Sequence, residues 1–452
     1  MNHRLTLLPV LATSLLALMP SGCEQSSTRT TPNTTAPVVA AKAVTPSAVA
    51  LTRGPYLQLG TPTSMVVRWR TDVAATGVVR IGDQPGALGR TVTEATATTE
   101  HELVIADLKP NTRYFYAVGD GARSLAGDAS YTFVTAPVAG TAKPTRIWAI
   151  GDAGTANKDQ ATVRDAYYAY TKQRPTDVFL MLGDNAYETG TDKEYQKAVF
   201  NVYHELMRQT PVWPTLGNHD SAHGRETDGR YPYFQMMTLP QRGEAGGLPS
   251  GSEYYYSFDY GPIHFICLDS QTNRRTRDSA QVKWLEQDLA ATKAPWIIAY
   301  WHHPPYSRGS HDTDKDRESI EMRANVLPIL EAGGCDLVLS GHSHSYERSY
   351  LLKGHYGVAN TLTPAMKVDS GTGAPATPYR KPAVDQGTVY VVAGSSGKIS
   401  GGKLNHPAHV VSLKKLGSLV VDVVDDQMKG VFLREDGSVD DAFTIIKPQV
   451  GQ

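Results

Sequence analysis

Between residues 51 and 137 apolar and polar side chains alternate at every second position. Met65, Val67 and Trp69 interleave with Val66, Arg68 and Arg70, and Tyr114, Tyr116 and Val118, then Tyr131 and Phe133, keep the same period. Period two, with Gly, Pro and Asn between the runs, predicts antiparallel strands and an all-β module. From about Thr145 the texture changes. Apolar β-rich runs alternate with stretches of helical spacing, as in Tyr195, Ala198, Val199, Val202 and Leu206, and again in Val282, Leu285 and Leu289. Strand–helix alternation predicts an α/β (α+β) domain over residues 145–446.

The ends of the chain read differently. Residues 1–23 have the form of an export signal: Arg4, an apolar run from Leu5 to Met19, then Ser21 and Gly22 before Cys23. The run is too short to span a bilayer, and no later run is long enough. The Cys23 position resembles a bacterial lipoprotein cleavage site, which implies acylation there and an anchored protein in the periplasm or cell envelope. Residues 24–50, mostly Ser, Thr, Pro and Ala, cannot bury enough apolar surface to order themselves and read as a tether.

The polar residues that follow the apolar runs are more informative than the runs. Ile147–Ile150 leads into Gly151-Asp152-Ala153-Gly154, and Val178–Leu182 into Gly183-Asp184-Asn185-Ala186-Tyr187. Val212–Leu216 leads into Gly217-Asn218-His219-Asp220, Trp296–Trp301 into His302-His303, and Leu337–Leu339 into Ser340-Gly341-His342-Ser343-His344. In open α/β sheets ligands bind beyond the carboxyl ends of the strands. Five such ends would gather Asp, Tyr, Asn and His around one crevice, with glycines at 151, 183, 217 and 341 permitting sharp exits from the strands. Any one of these motifs is a common turn, cap or core histidine. Their repetition at the same position, with donors suited to hard metals, is what carries information.

Composition narrows the alternatives. The chain has 452 residues, with 44 basic and 45 acidic side chains, a net charge of −1. A nucleic-acid clamp or a polybasic membrane patch would leave a basic excess, and there is none. The cysteines, Cys23, Cys267 and Cys335, are too few for a disulfide scaffold, and the latter two lie in apolar runs, where buried free thiols are expected.

The order Asp-x-Gly, Gly-Asp-x-x-Tyr, Gly-Asn-His-Asp, His-x-Pro-x-Tyr and Gly-His-x-His resembles the purple acid phosphatases, the tyrosine-bearing branch of the calcineurin-like metallophosphoesterases. Arg53-Gly54-Pro55-Tyr56, Tyr255 to Tyr260 and Ser345-Tyr346-Glu347-Arg348 support the likeness, which covers residues 51–446. The family pattern often has Glu where this chain has Asp220. The stretch from Leu108 to Pro137 resembles a fibronectin type III sandwich and holds no polar constellation. The implied fold is a layered β-sandwich flanked by helices, preceded by that all-β module. The resemblance also implies two metal ions. Asp152, Asp184, Tyr187 and His344 would hold Fe(III); Asp184, Asn218, His302 and His342 would hold a divalent ion (Zn, Mn or Fe), with Asp184 bridging. It further implies an acid phosphatase that hydrolyses small phosphate monoesters by a metal-activated hydroxide, with His219 at the phosphate. His311, on a Gly-Ser loop nine residues past His302, is either the proton donor to the leaving group or an exposed loop histidine. His303 reads as the variable neighbour of a ligand. Arg308 and Arg348 are candidates for phosphate contact, although Arg348 reads rather as a structural ion pair. Two other functions stay open: a phosphodiesterase on the same scaffold, with the Gly- and Pro-rich segments 221–252 and 353–386 shaping the rim, and a non-catalytic surface binding protein.

Overall fold

The computed structural model describes residues 48–448. The expected export signal, Cys23 and all but the last three residues of the proposed tether lie outside them. Among the described residues no helix is long and apolar enough to cross a membrane.

Two small antiparallel sheets form the first sandwich. One orders strands Leu51–Gln58, Met65–Ala75 and Thr98–Ile105; the other is built on Val78–Gly82 and Arg113–Gly119. Met65, Val67 and Trp69 point into the core between them, with Leu103, Tyr116, Val118 and Phe133. Along Thr98–Ile105 the alternate residues Glu100, Glu102 and Val104 are exposed, but in the first two strands of this sheet several alternate residues meet the larger body. Arg68 donates to the Gln235 carbonyl at 2.6 Å, Tyr56 to the Met236 carbonyl at 2.8 Å, and Arg53 pairs with Asp192 at 2.6 Å while its guanidinium lies 4.0 Å from the Phe200 ring centre. Part of the polar half of the period-two pattern is therefore an internal seam against the larger body.

That body is two seven-stranded sheets face to face. In the first, Thr145–Ile150 runs parallel to Val178–Met181, which runs parallel to Val212–Pro214; on its other side Thr145–Ile150 pairs antiparallel with Gly417–Val424. In the second, Ile263–Cys267, Trp296–Tyr300, Leu337–Ser340 and Val389–Ala393 run parallel. Ile147, Leu180, Phe265, Ile298 and Leu339 meet between the sheets. Helix Ala280–Ala291 lays Val282, Leu285 and Leu289 on the outer face of the second sheet. Helix Lys158–Thr171 covers the first, where Tyr167 stacks on Trp148 at 4.0 Å. The layering is helix, sheet, sheet, helix.

Two segments depart from the pattern. The helical spacing over 195–206 is realised in pieces: a turn at Asp192–Tyr195, a wider π turn at Gln196–Phe200 closed by Asn201 N–H to the Gln196 carbonyl at 3.0 Å, and a turn at His204–Met207. The segment serves two partners, the body through Tyr195 and Val199 and the first sandwich through Phe200, and the wide turn lets it face both. The run from Val212 to Leu216 pairs only as far as Pro214, which has no N–H to continue a ladder. Cys267 and Cys335 are buried free thiols. Arg348 makes a two-pronged ion pair with Asp441 at 2.6 and 2.7 Å, so its role is structural.

Candidate metal centre

The carboxyl ends of five parallel strands, three from one sheet and two from the other, open on one crevice. Leaving them, Asp152, Asp184 and His342 adopt left-handed backbone angles, with φ of 55°, 53° and 67°. The sharp turn is thus taken mainly by the functional residues themselves. Of the four glycines expected to supply it, Gly183 alone takes a positive φ, 90°. Gly341 serves by its missing side chain: a Cβ there would lie 2.4 Å from an Asp152 carboxylate oxygen.

The side chains fall into two groups sharing Asp184. In the first, the Tyr187 hydroxyl lies 3.2 Å from Asp152 Oδ1, 3.0 Å from Asp184 Oδ2 and 3.3 Å from His344 Nε2, and His344 Nε2 is 3.4 Å from Asp152 Oδ1. In the second, Asn218 Oδ1, His302 Nε2 and His342 Nδ1 stand 3.0, 3.1 and 3.2 Å apart, and His302 Nε2 is 3.4 Å from Asp184 Oδ1. All seven residues named from the sequence as metal donors are brought together. Burial disfavours ionisation of Asp184, but the charge and hydrogen bond of His302, then His219, outweigh it and hold the carboxyl well below its usual range. Burial would lower His302, yet Asp184 raises it to about 9. Burial, then the charges of Asp152 and Asp184, push the Tyr187 phenol far up, so a phenolate there needs a cation beside it.

His219 sits at the edge of the same cluster. Its N–H donates to Asp184 Oδ1 at 2.9 Å, its Nδ1 lies 2.6 Å from the Glu188 carbonyl, and its ring meets Tyr187 edge-on at 4.5 Å. His311 lies on a loop beside the second donor group. It is half-buried, its ring lies 3.7 Å from that of His342, and its Nδ1 is 3.4 Å from Asp316 Oδ2. His303 packs behind His342 with Nδ1 2.8 Å from the Ser270 hydroxyl. Arg308 is drawn off by Asp314 at 3.2 Å. His355, His406 and His409 cluster with Tyr306 or with one another, outside both donor groups, and His204 and His223 pair with exposed glutamates.

Three residues outside the motifs, Asp316, Ser400 and Lys398, join the site, and Asp220, the last residue of the Gly-Asn-His-Asp motif, braces it. Asp220, fully buried, accepts from the Asn185 and Gly217 N–H groups and from the Tyr195 hydroxyl, tying its own loop to the Asn185 loop and to the turn Asp192–Tyr195. Asp316 stands at the N-cap position of helix Arg317–Asn325, its carboxylate turned to His311. Ser400 Oγ lies 3.0 Å from His344 Nδ1, and Lys398 Nζ stands 3.6 Å from the centre of the Tyr187 ring. The last two come from a sixth parallel strand end, Val389–Ala393, whose exit Gly394-Ser395-Ser396 has no metal donor to flag it.

This fold and donor arrangement define a calcineurin-like phosphoesterase, and residues 145–346 match that family. Residues 52–135 match the purple acid phosphatase N-terminal domain, and the chain belongs to the purple acid phosphatases. It is 30% identical over 275 residues to purple acid phosphatase 15 of Arabidopsis thaliana, a match covering 55% of this chain and 49% of that one. With purple acid phosphatase 1 of Ipomoea batatas it shares 28% identity over 324 residues, 67% and 64% of the two chains. The chain thus spans about half to two thirds of the length of these relatives. The structure of purple acid phosphatase PPD1 from yellow lupin, Lupinus luteus, superposes with a TM-score of 0.70 at 18% identity, over 87% of this chain and 74% of that one, and so shares the fold.

Proposed function

We propose that this protein is a dinuclear-metal phosphatase that hydrolyses phosphate monoesters. The observation that carries the reading is Asp184, whose two carboxylate oxygens face different donor groups, Oδ1 towards His302 and Oδ2 towards Tyr187. The donor chemistry fits cations. His302 Nδ1 lies 2.9 Å from the Leu182 carbonyl, which can only accept, so the neutral ring carries its proton there and offers Nε2 as a lone pair. That lone pair, the Asn218 carbonyl and His342 Nδ1 crowd together as acceptors. In this reading Asp152, Asp184, Tyr187 and His344 hold Fe(III), because two carboxylates and a phenolate are hard anionic donors. Asp184, Asn218, His302 and His342 hold a divalent ion, Zn, Mn or Fe. A bound cation pair of this kind lowers the pKa of water and offsets phosphate charge.

The chain's own residues do the rest. His219 keeps a proton on Nδ1 against the Glu188 carbonyl; protonated at Nε2 as well, it donates to a phosphoryl oxygen. Asp316 orients His311 through Nδ1, which leaves the Nε2 proton for the departing alkoxide. Asp220 fixes the Asn185 and Gly217 turns so that Asp184 and Asn218 keep their separation. Export with acylation at Cys23 belongs to the same reading, and the mass of the mature chain extracted from membranes tests it. For the activity, the metal-loaded protein should carry two ions per chain and turn over monoesters faster than diesters. Faster diester turnover would make it a phosphodiesterase; two bound ions with no hydrolysis would leave a surface binding protein.

A further inference from the structure

The loop that leaves the sixth strand end, Gly394 to Gly402, carries no metal donor, yet it is locked onto the first donor group. Ser400 N–H donates to the His344 carbonyl at 3.2 Å and its hydroxyl lies 3.0 Å from His344 Nδ1. The same anchoring sets Lys398 with its ammonium 3.6 Å from the centre of the Tyr187 ring. A lysine beside so much acid would be expected to take a carboxylate. Asp152 and Asp184 lie at the far end of that ring's hydroxyl, and Glu188 is exposed next to it, but among the described residues Lys398 makes no ion pair with any of them. Its charge is held over an aromatic face instead, which costs it little and leaves its donors unspent. His219 meets the same ring edge-on, at 4.5 Å. Tyr187 thus has both Lys398 and His219 against its ring beside the first donor group, and Lys398 has no anion of its own among the described residues.

We propose that Lys398 is a phosphate-binding residue of this site, donating to a non-bridging oxygen of the phosphoryl group alongside His219. The assignment rests on the phosphatase reading and adds a contact to it. An anchored ammonium that replaces solvent around a dianionic phosphoryl oxygen is a charge-assisted hydrogen bond. Loss of such a bond weakens binding about 10- to 100-fold. It acts on substrate and product alike, because both present the same oxygens.

The test uses the full chain loaded with metal, and titration calorimetry with inorganic phosphate. Lys398→Met should keep the metal stoichiometry of the wild type, because Lys398 donates to no ion, and weaken phosphate about 10- to 100-fold. It should also flatten the dependence of affinity on salt. Lys398→Arg, which restores the charge, should recover most of the affinity. A Lys398→Met protein with full metal content and wild-type phosphate affinity overturns the assignment and leaves the phosphatase reading intact. A wild-type protein that holds two metals and binds no phosphate overturns both.

Discussion

Tyr187 carries the sharpest consequences at the scale of single residues. With its hydroxyl 3.0 to 3.3 Å from Asp184, Asp152 and His344, it can be a phenolate only opposite a cation. A phenolate on Fe(III) absorbs visible light, so the loaded protein should be coloured and Tyr187→Phe should bleach it at unchanged second-site metal content. A colourless wild type with both sites filled would remove iron from the first group. His311 makes a different prediction. As donor to the leaving oxygen it matters only for alkoxides that need a proton, so His311→Ala should slow alkyl phosphates by about 10²–10⁴. Nitrophenyl phosphate should barely respond. Equal losses on both esters would take the role from His311. The seven donors were legible because each follows an apolar run. Lys398 and Asp316 were not, since a lysine in a Gly-Ser loop and an aspartate at a helix start are ordinary in any chain. The left-handed backbone at Asp152, Asp184 and His342 was equally hidden: glycine next door looked like the residue that turned, while His302 and the Asp152 carboxylate were what Gly183 and Gly341 had to avoid.

Among the elements, the hairpin Tyr256–Tyr260 and Ile263–Cys267 has a polar rivet far from the donors. His264 is buried between Asp259 at 2.7 Å and Asp288 at 2.9 Å, and Asp288 belongs to helix Ala280–Ala291. Burial would lower the imidazole, but the two aspartates outweigh it and raise His264 to about 9. A folded pKa above the unfolded value of about 6.5 gives stability fully present below that value and lost as pH climbs through 9. Denaturant unfolding should therefore show a loss on the order of 3 kcal/mol between pH 6.5 and pH 9.5. His264→Gln should be less stable at pH 6.5 and flatter across that window. A wild-type curve level through pH 9 would mean the rivet is neutral. Sequence gave no hint of it, because Asp259, His264 and Asp288 meet only once helix and hairpin are packed. Strand and helix runs were readable where one face is buried, as in Val282, Leu285 and Leu289; the broken segment after Tyr195 was not, since its faces are set by two partners.

For the whole molecule, the seam between the first sandwich and the larger body decides whether they melt as one. Arg53 is buried, paired with Asp192, bonded to Gln196 at 2.9 Å and stacked on Phe200. Asp192 is half exposed, so the loss is discounted from the cost of breaking a fully buried pair, and Arg53→Met should destabilise by about 2 kcal/mol. Calorimetry should show one transition in the wild type and a lower or split one in the variant. An unchanged single transition would mean that packing across Tyr56 and Met236 suffices. The period-two pattern revealed the sandwich but not this seam, because a polar residue that alternates with a core residue reads as solvent-facing until its partner is seen.

The pairing of Thr145–Ile150 with Gly417–Val424 has a consequence in time as well as in space. The strand that delivers Asp152 lies between a neighbour close to it in sequence, Val178–Met181, and one much further along the chain, Gly417–Val424. While the chain is growing, that strand has an open edge, and contacts so distant in sequence close slowly. The crevice therefore cannot take its final shape until residues beyond 417 have been made, and a chain stopped short of them should yield no donor cluster at all.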